Sequence, residues 1–319
     1  MGKFLLFLTA VSAMMTGCAT ERLYVHVEDE RGCSVSGVEV GLSTMNKYIV
    51  MGSGNAKDYD IYTATTDTNG NAVVEFRCIN GSFGWGINSS NYYPSVSHRG
   101  AFKGEDLLPI PKYRFDEHEK HESVVIWRKR NPQPMIAWCE NERRRSPKGI
   151  GRFGFDLKLF DWLPPFGHGE VADFYYVQIK ESDFSEGDLV GKLEFDENGG
   201  AYVGRKRVFK EFPTTYEADT SMPYKTEFNS YGYRKLNYLL RTNFVAKDEY
   251  MVVRSRVKVD EQGRILSAHY AKIFGPFSVG NNYIVAAEVV FNPNENDANL
   301  EYDVNRNLNP DCGNANLLP

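Results

Sequence analysis

The feature that most limits the fold of this 319-residue chain is a set of short segments in which apolar and polar residues alternate. Leu23, Val25 and Val27 share one face of the first such segment, and residues 72–78 repeat the pattern. Alternation with a period of two places successive side chains on opposite faces of a β-strand. Because few stretches keep a helical apolar period over three turns, the sequence predicts an all-β chain.

Turn residues separate these segments. Residues 29–32 predict a turn after the first segment, and Asn69-Gly70 predicts a tight hairpin, because both residue types accept positive φ angles. The chain also contains 19 Tyr and 20 Phe, whose rings pack well on pleated surfaces. Short strands separated by turn residues indicate β-sandwiches.

Three pieces of sequence in a fixed order carry a family resemblance. A strand ending in Asp-x-x-Gly is followed by a Val-x-Gly-Val-x-Val strand and then by Thr-Asp-x-Asn-Gly with a closing strand, at residues 25–32, 35–42 and 66–76. This order resembles the carboxypeptidase-regulatory-like and bacterial immunoglobulin-like modules. The resemblance implies an Ig-like or transthyretin-like β-sandwich over residues 18–128 that spaces, supports or binds and carries no catalytic residues. The insertion at 44–62 departs from the compact pattern and is interpreted as a projecting hairpin or loop.

Proline marks the predicted boundary between two domains. Pro132 and Pro134 lack N–H donors and restrict their neighbours, so residues 129–148 are interpreted as an extended linker. The basic run 143–148 at its end is interpreted as a solvated loop that could contact anionic lipid or acidic glycans. Residues 149–319 then supply enough further strands for a larger antiparallel β-sandwich of jelly-roll type.

A long hairpin is predicted late in the second domain, over residues 250–274. Along its first strand, apolar residues alternate with three basic ones, Arg254, Arg256 and Lys258. The pattern predicts that the strand buries its apolar face and turns its charged face to water or to a ligand.

The N-terminal segment 1–17 predicts the compartment. Lys3 precedes a short apolar run, which is too short to span a bilayer and ends at Met15-Thr16-Gly17-Cys18. This segment resembles a bacterial lipoprotein signal, although Met15 and Thr16 depart from the usual Leu and small residue. The resemblance implies cleavage before Cys18, lipid on its thiol and a membrane anchor of two or more acyl chains. Ala19 after the cysteine resembles outer-membrane sorting signals. The alternative is an ordinary secretory signal.

The remaining cysteines fit an oxidising compartment, because their number is even. Cys33, Cys78, Cys139 and Cys312 allow three pairings. Pairing of Cys33 with Cys78 would close the first domain, and pairing of Cys139 with Cys312 would join the ends of the second. Four reduced, buried cysteines remain the alternative. Their spacing does not predict zinc, and we expect no metal and no cofactor.

Four carboxylates lie close together in the most distinctive stretch of the second domain, namely Asp156, Asp161, Glu170 and Asp173. A glycosidase needs two carboxylates at a defined separation, so a carbohydrate-active hydrolase is one hypothesis. The other is a rigid loop in which the acids cap turns. This part of the chain resembles uncharacterised secreted bacterial proteins, a resemblance that implies no activity.

Aromatic residues between polar ones are the candidate binding residues. Trp162 and His168 belong to the acidic stretch, and Trp85, Tyr92 and Tyr93 lie at the end of the first domain. Exposed rings could form a stacking platform for sugars, whereas buried rings would close the core of a sandwich.

Together these features predict a lipid-anchored protein of the cell envelope, located at the outer membrane and non-enzymatic. Its partners would be the membrane, through the anchor, and a glycan or an envelope protein, met by exposed aromatics and the charged face of the late hairpin. The hydrolase is one alternative, and a structural component of a surface assembly is the other. The formal charge of −5 argues against a nucleic-acid partner.

Overall fold

The structure, a computed structural model, describes residues 20–45, 59–77, 83–93, 119–138, 143–181, 184–205, 214–235, 238–280 and 283–310. Within these ranges every regular element is a β-strand, which confirms the all-β prediction. Among the same residues, no helix is long and apolar enough to cross a membrane. The chain divides between Lys129 and Arg130 into two compact units, and the predicted signal segment lies outside the described residues.

The first unit is a sandwich of a four-stranded and a three-stranded sheet, with strand orders β4-β1-β7-β6 and β3-β2-β5. The strands are β1 (Thr20–Asp29), β2 (Glu39–Met45), β3 (Tyr59–Thr65), β4 (Asn71–Arg77), β5 (Phe83–Asn88), β6 (Tyr92–Tyr93) and β7 (Glu119–Arg128). β1 pairs antiparallel with β4 and parallel with β7. The predicted inward residues, such as Leu23, Val25 and Phe76, form one buried cluster between the sheets.

The turn at residues 66–70 joins the two sheets, so the predicted hairpin is wrong. β3 pairs with β2 and β4 pairs with β1, although the turn connects them in sequence. The two ends of the insertion predicted at 44–62 belong to β2 and β3, and Met45 pairs with Tyr59. Residues 46–58 lie outside the described residues.

Three turns share one geometry that the sequence repeats as Asp-x-x-Gly. The aspartate of each turn accepts hydrogen bonds from the backbone N–H groups two and four residues later. The glycine has a φ near +76°, which favours a residue without a Cβ atom. In the tight turn expected from Asn-Gly, both residues would have a positive φ, but here Asn69 does not. The aspartates are Asp29, Asp67 and Asp260, and the glycines are Gly32, Gly70 and Gly263.

The second unit contains a six-stranded sheet, β11-β10-β12-β13-β15-β16, and a seven-stranded one, β14-β17-β18-β19-β8-β20, with β9 beside β19. Five of the eleven pairings in these sheets join strands that are consecutive in the chain, and the other six join strands that are further apart in sequence. The strands are β8 (Gln133–Trp138), β9 (Arg143–Arg145), β10 (Gly151–Asp156), β11 (Asp161–Trp162), β12 (Phe174–Gln178), β13 (Leu189–Glu194), β14 (Gly200–Arg205), β15 (Glu227–Lys235), β16 (Tyr238–Arg241), β17 (Glu249–Val259), β18 (Ile265–Val279), β19 (Tyr283–Phe291) and β20 (Tyr302–Asn307).

From Arg130 onward, the predicted linker is part of this second unit. β8 and β9 lie within residues 129–148, and both pair with β19. The first three residues of the basic run 143–148 therefore form a short strand rather than a loop. The Arg144 guanidinium lies 5.7 Å from the ring centroid of Trp138.

Aromatic rings fill the space between the two sheets. Phe155, Trp162, Phe174 and Phe277 are each no more than 1% exposed. Phe155 packs edge-on against Trp162 at a centroid distance of 4.9 Å and stacks on Phe174 at 5.3 Å. Such ring pairs add specific geometry to the burial of apolar area, so the core fixes the ends of β10, β11 and β12.

The other face of the seven-stranded sheet buries a lysine. Lys272 on β18 is 0% exposed, and its ammonium donates hydrogen bonds to Thr214 Oγ1, Thr215 O and Leu300 O at 3.0 to 3.2 Å. Burial lowers the pKa of Lys272 to about 7, and attraction to Glu301 opposes this shift only in part. The amine therefore loses its proton far more easily here than in water.

The Lys272 pKa predicts how stability changes with pH. Between pH 7 and about 10 the unfolded chain binds more protons at this lysine than the folded chain, so the free energy of unfolding should rise with pH in that window. The slope attributable to Lys272 is at most about 1.4 kcal/mol per pH unit. Urea unfolding at pH 7, 8 and 9 measures it, and Lys272→Met should flatten the profile. Lys258→Met, at an exposed lysine, should leave the profile unchanged.

Candidate functional site: a charge cluster beneath a rigid loop

A β-bulge in β17 directs Arg256 toward the six-stranded sheet. The pairing of β17 with β18 shifts register between Ser255 and Lys258, and Arg256 has a φ of +52°, in the left-handed region. The prediction that Arg256 shares a charged outer face with Arg254 is therefore wrong. Instead, the guanidinium of Arg254 lies on the ring of Tyr224, 4.1 Å from its centroid, and Arg256 reaches two aspartates.

Asp173 is the first of these aspartates, and it is 3% exposed just before β12. Its Oδ1 accepts hydrogen bonds from Arg256 Nε at 2.9 Å and Ser255 Oγ at 2.6 Å. Its Oδ2 accepts from Arg256 Nη2 at 2.9 Å and from the backbone N–H of Leu157 at 2.6 Å. Two parallel bonds between guanidinium and carboxylate fix the mutual orientation of the two side chains.

Asp156 is the second aspartate, at the end of β10, and it is 0% exposed. Its Oδ1 accepts from Arg256 Nη2 at 2.7 Å and from the N–H groups of Lys158 and Leu159. Its Oδ2 accepts from the N–H groups of Glu170 and Val171. One carboxylate therefore binds both ends of the segment between β10 and β12.

The charges of this cluster stabilise one another. Burial lowers the pKa of the Arg256 guanidinium, but hydrogen bonds and attraction from Asp173, and then from Asp156, outweigh it, so the pKa is raised overall. The Arg256 side chain is 16% exposed and both aspartate side chains are 0% exposed. An isolated charge at this depth would be strongly unfavourable, so each member depends on the others.

Asp161 holds the loop that covers this region. Its Oδ1 accepts the N–H of Trp162 at 2.9 Å, and its Oδ2 accepts the N–H of His168 at 3.0 Å. The N–H of Gly169 donates to Trp162 O at 2.8 Å. A Cβ atom on Gly167 would lie 2.5 Å from both Asp161 Oδ1 and Trp162 O. Position 167 therefore has no room for any side chain. The backbone of residues 161–171, here named the display loop, is therefore held by hydrogen bonds near both of its ends.

Several side chains of the display loop remain at the surface. Phe166 is 51% exposed, although its ring packs edge-on against Phe153 at 5.1 Å, and Val171 is 42% exposed. His168 and Glu170 are exposed between them. The loop therefore combines a fixed backbone with apolar and charged side chains that point away from the core.

These contacts bear on the two interpretations of the acidic stretch. Asp156, Asp161 and Asp173 accept backbone N–H groups and so cap turns over the buried Trp162, while Glu170 is exposed. The two acids that come together, Asp156 and Asp173, share Arg256 and lie below the surface. The geometry is that of the rigid loop, and it does not support the hypothesis of a hydrolase that uses a carboxylate pair from this stretch.

The predicted aromatic binding residues are largely in the cores. Trp162 is 1% exposed, Trp85 is 9% exposed and Tyr93 is 4% exposed. Tyr92 is half-buried and packs against the core of the first unit, with the Arg128 guanidinium 5.8 Å from its ring centroid. Of the residues proposed to bind, His168 is therefore the one that is fully at the surface.

The predicted cysteine sites are described only in part. Cys33 is exposed in the turn after β1 and is a free thiol among the described residues. Cys18, Cys78, Cys139 and Cys312 lie outside those residues, so lipidation and disulfide pairing stay predictions.

A small pocket of about 50 Å³ lies beside the charge cluster. Asp173 and Arg256 line it, together with Asn198 from the turn before β14. In the described part of the chain, no group of three or more His, Cys, Asp or Glu side chains could hold a metal ion. The pocket is about the size of one or two water molecules, which is small for a substrate.

The sequence does not identify two residues of the site, Arg256 and Phe166. Arg256 follows Asp156 by 100 residues, and its alternation with apolar neighbours predicts an outward side chain. The bulge that reverses its direction has no signal in the sequence. Phe166 was not predicted to lie at the surface, although its position after Pro164-Pro165 and before Gly167 marks it as a loop residue.

Comparisons with known proteins do not identify a family. No family model matches the chain, and no curated protein matches it. Among solved structures, the chain is similar to the shaft pilin spaA from Lactobacillus rhamnosus GG, at 12% sequence identity and a TM-score of 0.21, over 84% of this chain and 98% of that chain. A TM-score this low does not establish a shared fold.

The charge cluster predicts a large effect of one substitution. Arg256→Met should lower the free energy of unfolding by about 3–5 kcal/mol, because two buried carboxylates lose their counter-ion. Thermal and urea unfolding measure the loss. Lys258→Met is the matched control, because its partner Glu295 is exposed and such pairs contribute about 0–1 kcal/mol. Equal effects of the two substitutions would contradict the role given to Arg256.

Proposed function

We propose that this chain is a lipid-anchored protein of the cell envelope that binds another envelope protein through the display loop, without catalysis. The observation that carries the proposal is the combination of a loop backbone fixed by Asp156 and Asp161 with half-exposed Phe166 and Val171 on the same loop. The anchor and the outer-membrane location follow from the lipoprotein-like segment at Cys18.

The rigidity of the display loop supports a binding role. Association costs free energy when a loop must be ordered, and a preorganised loop avoids that cost. The hydrogen bonds from the N–H groups of Trp162, His168, Glu170 and Val171 to carboxylates order the loop in the free protein. Aromatic residues, Phe included, are enriched at protein–protein interfaces, and Phe166 is an exposed one on this hydrogen-bonded support.

The chemistry of the exposed side chains favours a protein over a glycan. Sugars stack on broad aromatic faces, and the tryptophans proposed for that purpose are buried. Phe166 and Val171 offer apolar surface, flanked by the exposed Glu170 and His168. A protein partner could complement these side chains with an apolar pocket for Phe166 and Val171 and a basic side chain beside Glu170.

The start of the first unit supports direct tethering to a membrane. β1 begins at Thr20, two residues after Cys18, and Thr20 already pairs with Arg77 of β4. Two extended residues span only about 7 Å. Lipid on Cys18 would therefore hold the sandwich of the first unit at the bilayer surface rather than on a long flexible linker.

Site-specific photo-crosslinking in the intact, membrane-bound chain tests the binding surface. A photoreactive amino acid in place of Phe166 should give a discrete protein adduct, and the same amino acid at Tyr231 should not. Tyr231 is the matched control because it is an aromatic residue of the second unit with similar exposure, 42% against 51%. The adduct should disappear when Val171→Asp is combined with the probe at residue 166. Equal labelling at residues 166 and 231 would refute the display loop as the interface.

Metabolic labelling with palmitate tests the anchor separately. The wild-type chain should incorporate label and sediment with membranes. Cys18→Ala should lose both properties, because the thiol is the proposed acylation site. Release of an unlabelled, soluble wild-type protein would instead show that residues 1–17 are an ordinary secretory signal.

A further inference from the structure

β3 is the last strand of the three-stranded sheet, and its outer side is open in the described part of the chain. β2 pairs with β3 along its whole length, from Met45 opposite Tyr59 to Glu39 opposite Thr65. The sheet order ends at β3. A strand in this position presents N–H and C=O groups that can pair with another strand.

The register shows which backbone groups face outward. Thr66 N donates to Val38 O at 2.9 Å, so Thr66 and every second residue before it face β2. In an antiparallel pair the intervening residues direct their N–H and C=O groups to the other side. The outward residues are Ile61, Thr63 and Thr65, and the structure shows no hydrogen bond from their backbone groups to any described residue.

The side chains of β3 do not protect this edge. Ile61 is 58% exposed, and Thr63 and Thr65 are also exposed. Natural edges usually carry charged residues such as Lys, or Pro or a bulge. The seven residues Tyr-Asp-Ile-Tyr-Thr-Ala-Thr contain no Lys, Pro or bulge, and their single charge, Asp60, belongs to the alternate residues whose backbone groups face β2. The neighbouring edge strand β4 differs, because its exposed face carries Glu75 and Arg77.

We propose that β3 pairs with β3 of a second copy of this chain, antiparallel and across a two-fold axis at Thr63. Thr63 then lies opposite Thr63 of the second copy, and Ile61 lies opposite Thr65. Two three-stranded sheets become one continuous six-stranded sheet. Such cross-strand pairs of β-branched residues stabilise a sheet in addition to the new backbone hydrogen bonds.

Two properties of the edge favour a second copy over a different strand. The three outward residues are uncharged, so self-pairing places no like charges opposite each other, whereas a charged foreign strand would find no counter-charge among them. The two-fold axis is normal to the sheet, so the four-stranded sheets of both copies face the same side. Both β1 strands, and the Cys18 that precedes each, can then approach one membrane.

Proline substitution tests the pairing in solution. The chain from residue 18 onward, with Cys18→Ser, should sediment as a concentration-dependent dimer. Thr63→Pro should raise the dimer dissociation constant at least tenfold and leave the far-UV spectrum unchanged, because this N–H faces away from β2. Val73→Pro is the matched control, since Val73 has the equivalent outward position on β4, and it should leave the dimer intact. If Thr63→Pro fails to fold, Ile61→Lys replaces it with the same expected loss of dimer.

A cysteine at the two-fold axis tests the pairing in the membrane. Opposed residues of a hydrogen-bonded pair have Cα atoms about 5.5 Å apart, which suits a disulfide. Thr63→Cys in the full chain should give covalent dimers, and Val73→Cys and the wild type should not. A wild type that is monomeric at every concentration, or equal effects of changes at residues 63 and 73, would overturn the proposal. These outcomes do not depend on the display loop or the anchor, so failure here is distinguishable from failure of the proposed function.

Discussion

The ion cluster of Arg256 with Asp173 and Asp156 is the interaction on which the second unit depends most. It joins the bulge of β17 to the end of β10 and the start of β12. Buried charges are tolerated only when paired and hydrogen-bonded, so the cluster allows few alternative arrangements of the chain around it. The position of the display loop follows from this constraint.

The aspartates of this region accept hydrogen bonds from loop N–H groups that have no strand partner. A loop between two strands that packs on a core has N–H groups with no strand partner, and buried N–H groups need acceptors. Asp156 and Asp161 supply those acceptors at both ends of the loop. In the sequence alone, such a cluster of carboxylates looks the same as an active site, because aspartate serves both in catalysis and in the capping of loops.

The two proposed contact surfaces use different physical means and lie in different units. The display loop offers side chains on a fixed backbone, so its specificity would come from shape and apolar contact. β3 offers the backbone itself, with uncharged side chains beside it. Lipid on Cys18 would concentrate copies in one plane, which favours weak self-pairing by raising the effective concentration.

The all-β class, the alternating core residues such as Val25 and Phe76, and the Asp-x-x-Gly turns can be read from the sequence alone, because they depend on local periodicity and local hydrogen bonds. Which strands pair, the place of β8 and β9 in the second unit, and the inward direction of Arg256 are visible only in the folded chain. Each of these depends on residues far apart in the chain. A bulge or a change of sheet leaves no mark on the local pattern, so the sequence could propose the acids of the site but not their partner.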